Sequence, residues 1–98
     1  MIFHTIEQHH DQESATYTNT RWFRNLRTVY PEIRGKEMGS QYDNDAYVER
    51  RVKEVCFHLE GLVGTKVYFT KMPQPAYLID MYFELPDEEA VAFLLKWG

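Results

Sequence analysis

The sequence predicts an α+β fold, one domain in which a small antiparallel sheet of two to three strands packs against about three helices. Three stretches carry that prediction. Val48, Val52, Val55, Cys56 and Leu59 recur at i, i+4, i+7, i+8 and i+11, the spacing of one apolar helix face. Residues 76–85, AYLIDMYFEL, alternate between apolar and mixed positions, as a half-buried strand does. Residues 86–98, PDEEAVAFLLKWG, place acids before an apolar stripe, the order expected of a helix start. Ninety-eight residues suit one hydrophobic core, so a single domain over 1–98 is expected.

At the amino end, MIFHTIE suits a short strand with Ile2, His4 and Ile6 on one side and Phe3 and Thr5 on the other. The polar run QHHDQESATYTNT has no period and reads as a loop. A first helix is expected from Thr20 to Tyr30, capped by Asn19 or Thr20. Trp22, Leu26 and Val29 form its stripe, Phe23 and Tyr30 flank it, and Pro31 ends it. PEIRGKEMGSQYDN then reads as a linking loop.

The second helix starts among Asp43, Asn44 and Asp45, with Gly61 as its natural stop. Glu49–Lys53 and Arg50–Glu54 are i,i+4 pairs on its wet side. Phe57 stands about 180° from Val48 at 100° per residue, so it either packs on a second element or is exposed. Strand residues follow at Thr65–Lys71, and MPQP is too long and too rich in proline for a two-residue turn. In the next strand Tyr77, Ile79, Met81, Phe83 and Leu85 face one way, and Ala76, Leu78, Asp80, Tyr82 and Glu84 the other. The last helix places Ala90, Phe93, Leu94 and Trp97 on the core, with Val91 and Leu95 widening the stripe.

Composition narrows the class. A single cysteine, Cys56, excludes an internal disulfide and multi-cysteine zinc sites, and is expected to be a small buried hydrophobe. No stretch approaches the roughly 20 apolar residues that span a bilayer, and the amino end lacks a basic, apolar leader, so a cytoplasmic setting is expected. The net charge is −4, but residues 21–36 carry +4, which leaves −8 for the rest.

No motif for catalysis, cofactor or metal stands out, and a non-enzymatic role is expected. His9, His10 and Asp11 carry ligand chemistry, but adjacent residues rarely hold one ion well. Cys56 and His58 point apart on a helix, and RGKEMGS lacks the spacing of a phosphate-binding loop. Binding residues are easier to name. Arg21, Arg24 and Arg27 span about 120° of the first helix and can serve one surface, although a solvated helix face is the plain alternative. Tyr68 and Tyr82 alternate with polar residues and can stack bases as RNA-binding sheets do. Asp80 and Glu84 beside Tyr82 repel phosphate, which favours a protein partner. Phe57 completes the set of candidates.

The ending EEAVAFLLKWG resembles that of many short uncharacterised proteins of tailed bacteriophages, which close on a helix of the form E-D-A-x-x-F-K-L-x-W-G. Ala90, Phe93, Leu95, Trp97 and Gly98 stand at matching places, with Glu89 where aspartate is usual and Leu94 where lysine is usual. The resemblance covers about the last third of the chain. It implies a phage gene and by itself no activity. With the absent catalytic motifs, the excess acid and the surplus aromatics, the expectation is a small accessory protein of the host cytoplasm, an inhibitor or modulator that binds a host or phage protein. Two further expectations stand beside it. One is a nucleic-acid-binding regulator using the arginines and sheet tyrosines; the other is a self-associating structural component with Phe57 in a homodimer interface.

Overall fold

A computed structural model describes residues 1–10, 15–33, 45–72 and 78–98. It contains strands β1 (Ile2–His4), β2 (Ile6–His10) and β3 (Ala15–Asn19), then helices α1 (Arg21–Val29) and α2 (Asp45–Val63). Strands β4 (Tyr68–Met72) and β5 (Leu78–Glu84) and helix α3 (Asp87–Trp97) complete it. This is the α+β architecture the sequence predicts. A three-stranded antiparallel sheet in the order β1-β5-β4 is joined by a two-stranded sheet, β2-β3.

Strand β5 is central because its alternation supplies one continuous buried edge. Ile79, Met81, Phe83 and Leu85 are all buried on the inner face, and the three helices pack there. Phe3 on β1 lies opposite Phe83, and Phe69 on β4 opposite Met81, so both neighbouring strands add to the same layer. Phe3, Trp22, Phe83 and Phe93 form the densest part of the core. Every pair among these four rings is in contact, with centroids 4.8–6.1 Å apart. The indole N–H of Trp22 donates to the His4 carbonyl at 3.0 Å, so its one polar atom is satisfied inside that cluster.

The amino-terminal segment departs from the alternation expected of it. Phe3, Thr5 and Ile6 are all buried while Ile2 and His4 are exposed, so no single alternation runs through the segment. The chain breaks phase at Thr5, whose N–H donates to the Met81 carbonyl at 2.9 Å and whose hydroxyl accepts the Met81 N–H at 2.9 Å. Beyond that break β2 leaves β5 and pairs with β3, from Ile6 opposite Asn19 to His10 opposite Ala15. The stretch expected to be a loop is therefore a hairpin on both sides of residues 11–14. Both its faces are largely polar, so ladder hydrogen bonds hold it where no hydrophobic period could announce it.

Helix α1 is rotated from its expected stripe. Trp22, Phe23 and Leu26 are buried and Tyr30 packs on the core, whereas Val29 is exposed. Thr20 is the cap residue, but its hydroxyl donates to the carbonyls of His4 (2.9 Å) and Thr5 (3.2 Å) instead of capping the helix. Ile33, placed in a loop by the sequence, is buried in the core.

Helix α2 buries Val48, Val52, Cys56 and Leu59, with Val55 at the margin, as the spacing predicts. It runs past Gly61 and stops at Gly64, whose φ of 77° suits glycine. Glu49, expected to pair with Lys53, lies 3.4 Å from Lys71 of β4. Helix α3 begins at Asp87, with Pro86 as its cap residue, and buries Ala90 and Phe93, with Trp97 partly covered. Leu94 is a partly exposed flank residue, and Val91 and Leu95 face solvent instead of widening the stripe. Among the described residues no helix is long and apolar enough to cross a membrane.

Candidate binding surfaces

The residues singled out in the sequence fall on three separate surfaces. The first is the outer face of the three-stranded sheet. Register sets His4 opposite Tyr82 and Tyr82 opposite Tyr68, so one ring from each strand stands in a row. The His4 and Tyr82 centroids are 5.7 Å apart, and those of Tyr82 and Tyr68 are 5.8 Å apart at 24° between planes. Lys66 brings its ammonium 5.5 Å from the Tyr68 ring centre, a cation–π contact at the end of the row. The imidazole Nδ1 of His4 lies 2.7 Å from the Asp80 carboxylate, one pair further along β5. Parity in β5 found Tyr82. The same parity puts Asp80 beside it, whereas His4, Tyr68 and, beyond it, Lys66 join the row only through the pairing of β1 and β4 with β5.

The second surface is the outer side of α2. Phe57 is 76 % exposed, which settles the choice the sequence left open. Among the described residues it stands between two shallow depressions of about 510 and 470 Å³. Ala46, Glu49, Arg50, Lys53 and Glu54 line one; Glu32, Glu54, Val55 and His58 line the other. The ring is thus an apolar post in a surround of both charge signs.

The third surface is the solvent side of α1. Arg24 and Arg27, with Thr28 and Pro31, line a depression of about 270 Å³, and the Arg27 guanidinium lies 5.7 Å from the Phe23 ring centre. Arg21 is exposed one turn earlier and does not line that depression. Helix α1 packs on the inner face of the sheet through Trp22, whereas Tyr68 and Tyr82 project from the outer face. The arginines and tyrosines do not share one surface.

Cys56 is buried on α2, and burial, reinforced by nearby Glu60, pushes its thiol up to about 12. It is therefore a protonated core side chain near neutral pH. Its neighbour His58 is exposed. His9 makes a 2.9 Å contact with the Thr18 hydroxyl and lies 3.6 Å from Glu7. The side chains of His10 and Asp11 lie outside the described residues. Among the described residues no three His, Cys, Asp or Glu side chains converge to hold a metal ion.

No family model matches the chain, and neither the curated proteins nor the solved structures include a significant match.

Proposed function

We propose that the protein is a non-catalytic binding protein, of the accessory kind that tailed phages encode, and that it docks the outer side of α2 onto a host or phage protein. Phe57 carries this reading. An aromatic ring left 76 % in water gains about 1.5–3 kcal/mol when a partner buries it. Glu49, Arg50, Lys53 and Glu54 around it offer a polar rim of both signs, the arrangement of a protein interface with a central aromatic anchor. The test is capture from a lysate of phage-infected host cells on immobilised protein. A stoichiometric partner should be retained by the parent and lost by a Phe57→Ser variant with an unchanged melting temperature. Equal capture by both would sink the reading.

The ring row on the sheet favours a second reading. His4, Tyr82 and Tyr68 with Lys66 present stacking surface beside one cation, which suits a short single-stranded nucleic acid. Asp80 and Glu84 on the same face oppose phosphate, so the protein reading stands first. Fluorescence anisotropy with labelled oligonucleotides separates the two. Salt-sensitive binding that Tyr68→Ala weakens supports nucleic acid, and no binding at low salt removes it.

A further inference from the structure

Helix α3 carries a second apolar surface that the fold does not use. Phe93 marks the centre of its buried side, and at 100° per residue Val91 and Leu95 each stand about 160° away from it. They are adjacent turns of the outward pole, 58 % and 84 % exposed, with Leu94 on the flank at 38 %. Beside this pair runs a column at i, i+4 and i+8: Glu88, Ala92 and Lys96. It is acidic at the start of the helix, small in the middle and basic at the end.

We propose that α3 is the contact helix of a symmetric homodimer, packing antiparallel against α3 of a second copy so that Val91 of each chain meets Leu95 of the other. The charge column selects this occupant and this direction. A two-fold axis passing near Ala92 sets Glu88 of each copy against Lys96 of the other, so both charges are matched twice. A parallel pairing would set Glu88 against Glu88 and Lys96 against Lys96. The small Ala92 at the axis lets the two helices reach the 8–10 Å spacing of close helix packing. Antiparallel alignment also opposes the two helix dipoles favourably. In the single chain Lys96 rests 5.2 Å from the Trp97 ring centre, an exposed contact that a carboxylate can replace. A helix of 11 residues is short against the ~800 Å² per partner of a standard interface, so the dimer is weak and concentration-dependent.

The test is sedimentation velocity across a dilution series up to the highest soluble concentration. The parent shifts from monomer to dimer, and Leu95→Glu stays monomeric. Because Leu95 is largely in water, that variant keeps its fold, which circular dichroism checks. Glu88→Lys and Lys96→Glu each weaken association, and the double variant restores it. Phe57→Ser dimerises as the parent does, which separates this interface from the α2 surface. A parent that is monomeric throughout overturns the proposal, as does a dimer indifferent to Leu95→Glu or to the charge exchange.

Discussion

The Thr5 hydroxyl accepts the backbone N–H of Met81 at 2.9 Å, and the Met81 carbonyl accepts the N–H of Thr5 at the same distance. A side chain stands in for a strand at the point where β1 ends and β2 turns away. Both residues are fully buried, so no water is at hand to replace either bond. The Thr5 carbonyl accepts the Thr20 N–H at 2.8 Å, which ties this point to the start of α1.

Replacing Thr5 by Val keeps the size of the side chain and removes the acceptor. The Met81 N–H is then buried without a partner, at a cost of about 1–3 kcal/mol. Thr5→Ser keeps the oxygen and is expected to lose less. Urea unfolding of the two variants measures the difference, and equal midpoints would show that the bond contributes nothing.

Two large apolar residues of α3, Phe93 and Leu95, are expected to behave oppositely. Phe93→Ala removes a ring that touches Phe3, Trp22 and Phe83 and is expected to cost about 3–5 kcal/mol. Leu95→Ala, at 84 % exposure, should stay within about 0.5 kcal/mol when measured on dilute protein. Removing the last six residues takes Phe93 and Trp97 together and is expected to abolish cooperative melting. A truncated chain that melts at the parent temperature would contradict the packing described for α3.

The two glycines near the end of α2 should respond with opposite signs to alanine. Gly61 lies inside the helix with open space around the position of a Cβ, so Gly61→Ala is expected to stabilise by about 0.5–1 kcal/mol. Gly64 also has open space, but its φ of 77° disfavours any side chain, so Gly64→Ala is expected to destabilise. Thermal melts of the two variants, run side by side, decide this.

Cys56 gives the chain an alkaline weakness. Its folded thiol is raised to about 12 from an ordinary value of 9.0. A raised value means that the unfolded chain loses the proton first. The stability tied to the buried thiol is complete below pH ~9 and is lost as pH rises towards ~12. Tyrosines and lysines titrate in the same range, so the comparison is with Cys56→Ala. Its stability should fall less steeply over that window, and parallel slopes would show that the thiol is not involved.

The sequence showed the parts of this fold that obey one period over many residues. Val48, Val52, Cys56 and Leu59 repeat for three turns, and Ile79, Met81 and Phe83 alternate without a break, so both elements were readable. The β2–β3 hairpin was not, because its residues are polar on both faces and its order comes from backbone pairing. Val91 and Leu95 depart from the buried stripe because apolar identity does not entail burial where a helix is apolar on more of its surface than its own fold covers. The same rule decided the candidate surfaces. Phe57 was visible as a residue off its helix's period, and Tyr82 by strand parity. The grouping of His4 with Tyr82 depended on register across sequence-distant strands, which no local pattern encodes.

One thiol, enclosed by the core on α2, also makes the molecule its own stopwatch. Cys56 is the single cysteine and is 5 % exposed, so a thiol reagent reaches it only when the helix lifts from the sheet. Labelling followed over time, with reagent in excess, reads the frequency of that opening directly. Partner binding on the far side of α2 should slow the clock if it stiffens the helix and leave it unchanged if it does not.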